Sequence, residues 1–229
     1  IALFCNVPED HVLQNLDVEY LYEAPLAMEK ERLAQVVCEC LNIPCPEPQL
    51  GDWKQMVDAL KNPTSEVTIA LVGKYIQLHD AYLTPEILDD TFAGVDGIII
   101  PGGFGSRGTE GMILAANYAR ENKIPFLGIC LGMQMAMVAF ARNVLGYADA
   151  NSSELDPETT HPVVDLMPDQ NGVENLGGTL RLGSYPCVLD KKSKAYSLYG
   201  TDMINERHRH RFEINNDYRD DFTSHGMMI

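Results

Sequence analysis

The stretch Lys123–Gln134, Lys-Ile-Pro-Phe-Leu-Gly-Ile-Cys-Leu-Gly-Met-Gln, constrains the fold more than any other part of the chain. Ile124–Leu127 is a short apolar run of the kind that forms a buried parallel strand. Gly128-Ile129-Cys130-Leu131-Gly132 follows as a G-x-C-x-G turn, and an apolar helical pattern runs from Met133 to about Leu145. Strand, sharp turn and helix in that order form a nucleophile elbow, here with cysteine at its tip. Residues two before and two after such a tip must leave room for neighbouring backbone, which a Cβ would fill. The elbow also puts Cys130 at a helix N-terminus, where free N–H groups and the helix dipole favour the thiolate.

The surrounding pattern is α/β. Val67–Val72 reads as a strand ending in Gly73-Lys74, and Gly97–Ile100 as a second ending in Pro101-Gly102-Gly103-Phe104-Gly105. Glu110–Arg120 reads as a helix between the second strand and the elbow. Working loops of open α/β sheets lie outside the carboxyl ends of the strands, so Gly102-Gly103 and Cys130 are expected to face one another. Pro162–Met167, Thr179–Leu182 and Cys187–Leu189 read as shorter strands. The expected fold class is α/β, a three-layer α/β/α sandwich with a central, mostly parallel sheet.

Upstream of this pattern the chain is organised differently. Ile1–Phe4 reads as the inside of a strand, an abrupt opening that suggests a fragment. Arg32–Leu41 has helical apolar spacing, with Leu33, Val36, Val37, Cys40 and Leu41 on one face. Ile43–Gly51 carries Pro44, Pro46 and Pro48 and reads as a linker. Asp52 is expected to cap a short helix whose apolar side is Trp53, Met56, Val57 and Leu60, ended at Pro63–Ser65. The expected organisation is a leading segment, residues 1–50, and a main domain, residues 51–229, with a composition shift near Pro63–Ser65.

Charge and cysteine usage narrow the classes of partner. Seventeen basic against thirty-three acidic residues give a net charge of −16, which argues against nucleic acid or an anionic membrane surface. Neither an apolar run of membrane-spanning length nor a signal-peptide pattern is visible. Cys5, Cys38, Cys40, Cys45, Cys130 and Cys187 show no C-x-x-C pair and read as reduced thiols of a cytoplasmic protein.

Several motifs converge on one family. Val67–Tyr82 (VTIALVGKYIQLHDAY), Ile100–Gly111 (IPGGFGSRGTEG), Gly128–Gln134 (GICLGMQ), Leu176–Gly183 (LGGTLRLG) and Asn205–Asn215 (NERHRHRFEIN) closely resemble the glutaminase domain of the CTP synthases. GICLGMQ by itself is similar to class I glutamine amidotransferases in general; RHRHRFE with LVGKY narrows the resemblance to CTP synthase. Ile1–Val7 (IALFCNV) resembles the tail of that family's synthetase domain. The resemblance thus makes residues 1–50 synthetase tail and linker, and residues 51–229 the glutaminase domain.

The resemblance implies a Cys–His–Glu glutaminase that releases ammonia from L-glutamine for amination of UTP to CTP elsewhere in a longer, tetrameric enzyme. ATP and Mg2+ would serve the synthetase reaction and GTP would activate it; no cofactor or metal is implied for the glutaminase domain itself. Cys130 matches the nucleophile. Gly103 and Leu131 match the positions whose backbone N–H groups form the oxyanion hole. Gln134, Glu154 and Arg211 match positions that hold glutamine. Residue chemistry alone leaves plainer roles open: a tight turn at Gly102-Gly103, an ordinary helix residue at Gln134, a cap or loop at Glu154. Arg207–Arg211 fits a solvated basic run as well as an anion site, and Arg181 a surface ion pair.

Two departures from the family pattern bear on function. The family's base lies in a His-Pro-Glu near the C-terminus, and this sequence has no His-x-Glu; it reaches Met228-Ile229 before such a motif. His11, His79, His161, His208, His210 and His225 are therefore given no base role. The family also carries a helix and strand where Tyr82 here runs directly into Leu83, which suggests residues missing at that junction. A non-catalytic glutaminase-like scaffold and another Cys-elbow hydrolase, such as a DJ-1-like or γ-glutamyl hydrolase relative, are the competing readings.

Overall fold

The first strand–helix units place the elbow. In the computed structural model, which describes residues 1–74, 83–167 and 181–229, strands β1 (Ile69–Leu71), β2 (Gly97–Ile100) and β3 (Phe126–Gly128) pair in parallel in that order. Each is a short apolar run. Ile98 and Ile100 point to one face and are fully buried there, with the helices between and after the strands packed over them. On the other face Leu71 and Leu127 stay 53% and 54% exposed. Parallel strands usually bury both faces, so the described residues account for one side of the sheet.

The chain divides into two compact units, Ile1–Glu66 and Val67–Ile229. In the first, α1 (Ala2–Cys5) replaces the expected strand at Ile1–Phe4: the Cys5 amide bonds Ile1 O, and Asn6 ends the turn at φ 52°. A short apolar run does not by itself distinguish strand from helix. Helices α2 (Ala24–Lys30), α3 (Leu33–Leu41) and α4 (Gly51–Lys61) follow. Trp53 donates from its indole to Tyr22 O at 2.7 Å, and Lys61 pairs with Glu23, so α4 belongs to this unit. The division therefore falls after Pro63–Ser65 rather than at residue 50. Asp52 does not cap α4; it sits in its first turn, where its charge complements the helix dipole.

In the second unit, α5 (Leu88–Thr91) leads into β2, and α6 (Thr109–Glu121) connects β2 to β3. Ala115, Ala116 and Ala119 are buried on α6, small enough for it to lie close against α7 (Leu131–Phe140). A π-turn at Ala141–Leu145 ends α7, five residues short of an unbroken helix to Leu145. Met135 and Val138 of α7 are fully buried in the core.

A second sheet has β4 (Asn151–Ser152), β5 (Pro162–Leu166) and β8 (Phe212–Ile214), with β4 parallel and β8 antiparallel to β5. Residues 181–182 and 187–188 of the runs expected at Thr179–Leu182 and Cys187–Leu189 belong to a single strand, β6 (Arg181–Val188), which pairs with β7 (Met203–His210) as an antiparallel ribbon; Leu189 follows the strand, and residues 179 and 180 lie outside the described residues. Helices α8 (Lys194–Tyr199) and α9 (Arg219–Ser224) complete the unit. Among the described residues, no helix is long and apolar enough to cross a membrane. The Tyr82–Leu83 junction falls outside the described residues.

The elbow glycines set a sharp stability test. A Cβ on Gly132 would lie 2.0 Å from Ile100 O, whereas one on Gly51 meets nothing within 4 Å. Gly132→Ala should therefore lower unfolding free energy by more than about 3 kcal/mol or prevent folding. Gly51→Ala should stay within about 1 kcal/mol of wild type. Urea denaturation of the two variants checks both.

Candidate active site at the Cys130 elbow

Cys130 is the residue before α7 and has φ 54° and ψ −111°, in a region that residues with a Cβ rarely occupy. The surroundings impose it. The Ile129 amide bonds Ile100 O at 2.9 Å, and the Gly132 amide bonds Ile129 O at 2.9 Å, so the chain reverses within three residues. A Cβ on Gly128 would lie 2.7 Å from the Gly132 carbonyl, and one on Gly132 would enter the end of β2. Both glycines of G-x-C-x-G are thus sterically required, and the thiol is held half-buried at the head of α7.

The loop after β2 closes over this thiol. A Cβ on Gly102 would lie 3.3 Å from Cys130 Cβ and 3.8 Å from Sγ, so a side chain at this position would press on the thiol. Gly103 lies against Leu131: a Cβ on it would lie 3.4 Å from Leu131 Cδ2. Leu131 is the first residue of α7, so its amide has no acceptor within the helix. The structure therefore brings Gly103, Cys130 and Leu131 to the same end of the sheet.

Lys74 fixes the same loop. Its ammonium, just past the carboxyl end of β1, donates to Phe104 O and, at 2.6 Å, to Gly105 O. Burial pushes this ammonium below its ordinary pKa; the Glu154 carboxylate opposes that shift and Arg107 adds to it. Lys74, the lysine of LVGKY, is a loop-fixing contact that the sequence pattern alone does not reveal. Its only signal was a lysine placed just past the carboxyl end of a strand.

Gln134, Arg211 and Glu154 reach the same end of the fold by a different route. Gln134 is buried in the first turn of α7 and donates to Phe212 O at 2.7 Å. Phe212 pairs with Leu166 at the carboxyl end of β5. Arg211 is the half-buried bend between β7 and β8, one residue before that carbonyl. Glu154 is exposed in the turn after β4, the strand parallel to β5, and its amide bonds Ser152 Oγ at 3.2 Å. Since β4 and β5 run together, their carboxyl ends lie beside the start of α7.

The opposite end of α7 carries a different cluster. Arg142 bonds Ala150 O at 2.7 Å, just before β4, so the amino ends of β4 and β5 lie there. His161 Nδ1 contacts Asp149 Oδ1 at 2.5 Å and its ring stacks on Tyr147 at 4.4 Å. Eight residues of helix separate Gln134 from Arg142, about 12 Å. This His–Asp pair is thus remote from the thiol and does not serve as its base. His11 belongs to the first unit, His225 bonds Asp221 O at 2.9 Å beyond α9, and His79 lies outside the described residues. The side chain of Arg181 and most of Leu176–Gly183 also lie outside them.

Comparison with known proteins matches this geometry to a family. A family model described as glutamine amidotransferase class-I matches residues 59–228, and one described as CTP synthase N-terminus matches residues 1–43. A CTP synthase from Ruminiclostridium cellulolyticum is 52% identical over 256 residues, covering 100% of this chain and 48% of the relative. The chain belongs to the CTP synthase family. Its second unit has the α/β fold of the class I glutamine amidotransferases.

A CTP synthase from Clostridium beijerinckii is 50% identical, again over 100% of this chain and 48% of its own. The chain spans about half the length of these curated relatives. The first alignment runs over 256 positions, more than the 229 residues here, so that family member has internal residues without counterpart in this sequence. The glutaminase domain of Trypanosoma brucei CTPS, solved with bound acivicin, superposes with a TM-score of 0.62 at 35% identity, covering 70% of this chain and 73% of that one.

The Asp149 cluster yields a pH test. Its carboxyl is held well below the usual carboxylate range, first by the Thr160 hydroxyl at 2.7 Å, then by His161 and the Thr160 amide. A depressed carboxyl contributes stability that is fully present above its unfolded value, about 3.9, and is lost as pH falls through its folded value. The gap in urea midpoint between wild type and Asp149→Asn should therefore shrink as pH falls below about 4. A gap that stays constant from pH 7 to pH 3 would contradict this.

Proposed function

We propose that this chain is the glutamine-hydrolysing part of a CTP synthase, with L-glutamine as its substrate. The observation that carries the reading is the forced positive φ of Cys130, with Gly102 beside it and Gly103 beside Leu131. The Cys130 thiolate would attack the γ-carboxamide carbon, and the developing oxyanion would sit toward the Gly103 and Leu131 amides. Collapse expels ammonia and leaves a γ-glutamyl thioester on Sγ; water then releases glutamate. Glu154 would pair with the substrate's ammonium and Arg211 with its carboxylate, while Gln134 holds the backbone beside Arg211 through Phe212 O.

The proton chemistry requires an imidazole to take the thiol proton and return it to the leaving ammonia. The family's His-Pro-Glu would supply it, and no such triplet occurs in residues 1–229. The ammonia would aminate UTP at a synthetase site formed by residues outside this chain, where ATP and Mg2+ act; GTP as activator, a homotetramer and a cytoplasmic setting complete the reading. The reduced-thiol pattern and the acidic charge support that setting and argue against nucleic acid or membrane as partner.

In the full polypeptide, an electrophilic glutamine analogue should alkylate Cys130 and leave Cys5, Cys38, Cys40, Cys45 and Cys187 unmodified, as peptide mapping would read directly. Labelling elsewhere, or none, would favour the scaffold reading. Loss of one charge-assisted hydrogen bond costs about 1.5–3 kcal/mol. Glu154→Ala should therefore raise KM for glutamine by roughly ten- to a hundredfold while synthesis from free ammonia persists. An equal fall in both activities would make Glu154 structural.

A further inference from the structure

The alternating Arg/His run reads as one basic stripe in sequence, but β7 sorts it into two faces. Arg207 and Arg209 are exposed, whereas Glu206, His208 and His210 point to the half-buried face. Period-2 alternation accounts for this. At Arg211 the chain bends out of the β6–β7 ribbon and β8 joins β5 instead. That bend swings Glu213 back toward the histidines. Its Oε1 lies 2.8 Å from His210 Nδ1 and 3.7 Å from His208 Nδ1, with the three side chains only 15%, 27% and 12% exposed for His210, His208 and Glu213.

Three ligand-type atoms, two imidazole nitrogens and one carboxylate oxygen, thus converge within 4.8 Å of one another. Neither histidine Nδ1 makes a hydrogen bond of good geometry there, although both are buried. Two histidines and a glutamate are a donor set that zinc accepts with a fourth position left for water. Ligands at about 2.0–2.2 Å around a tetrahedral ion lie on the order of 3.3 Å apart, so the 2.8 Å spacing would open and the 3.7 Å spacing close, each by only about half an ångström. Access exists as well. Gly183 is the cross-strand neighbour of His208, and a Cβ there would meet nothing within 4 Å, so the ribbon leaves a gap beside the ring. The Tyr185 ring, 5.1 Å from the His208 ring, flanks the cluster.

We propose that His208, His210 and Glu213 form a binding site for a borderline-soft divalent transition-metal ion of the zinc class, at the bend that carries Arg211. The carboxylate neutralises part of the ion's charge, Glu206 adds negative charge on the same face, and the exposed arginines are directed away from it. An ion there would join β7 to β8 and hold Arg211 at a fixed angle. This goes beyond glutamine hydrolysis and does not depend on it, since the site requires neither Cys130 nor substrate. It also departs from the expectation of no metal in this domain.

Cobalt(II) serves as a spectroscopic probe, with zinc(II) competition to follow. Titration of the full polypeptide should give one-to-one binding with the visible bands of a four-coordinate nitrogen–oxygen site, displaced by zinc(II). His210→Asn and Glu213→Gln should each weaken it by at least about tenfold, and His208→Asn likewise. His225→Asn, a residue beyond α9, should leave it unchanged; circular dichroism checks that each variant is folded. Absence of binding in the wild type would overturn the proposal. So would binding that survives the His208, His210 and Glu213 substitutions, or bands of thiolate ligation from the cysteines of the first unit.

Discussion

The contact between the α-carbon of Gly132 and the carbonyl of Ile100 governs the rest of the active-site geometry. It lets α7 begin directly against the end of β2, at a distance that any side chain would forbid. Once that contact is made, the chain between β3 and α7 has only two residues, Ile129 and Cys130, in which to reverse, and Cys130 is driven to positive φ. The strain at such a residue, of order 1–3 kcal/mol, persists because the surrounding core over-determines it. Ile98, Ile100, Met135 and Val138, all buried, supply that core.

The same contact explains why the functional groups gather where they do. With α7 fixed against β2, the carboxyl ends of β1, β2 and β3 open on one side, and the Gly102-Gly103 loop falls onto the thiol. Lys74 ties that loop to the end of β1 through two carbonyls, so Gly103 rests on a strand rather than on a free loop, while Leu131 is fixed by α7. Gln134 performs a parallel service on the other side, binding the first turn of α7 to the backbone next to Arg211. Cys130, Leu131 and the Arg211 bend are thereby referred to one helix start.

Much of this was legible in residues 123–134, because a G-x-C-x-G between a strand and a helix has few steric solutions. β2 and α6 were readable for the same reason, each being a short apolar run or a 3.6-periodic one with clear turns beside it. Ile1–Phe4 was not, since four apolar residues carry no period and the segment became a helical turn. β6 reads as two fragments in sequence because Gly183 and Pro186 punctuate it, although pairing with β7 carries the strand through both. The role of Lys74 and the convergence of Glu213 on two histidines depend on loops and a bend that bring distant or out-of-register residues together, and local pattern holds no record of either. The position of Glu154 beside the start of α7 likewise follows only from β4 and β5 running in parallel.

The account's central claim is that the elbow makes Cys130 a covalent nucleophile toward glutamine. Its most direct test is rapid acid quenching of the full polypeptide during turnover of L-glutamine, followed by peptide mass mapping. The expected result is a γ-glutamyl adduct confined to the peptide carrying Cys130, lost when Cys130 is replaced by alanine. Steady glutamine hydrolysis with no adduct at Cys130, or with hydrolysis retained in Cys130→Ala, would contradict the account.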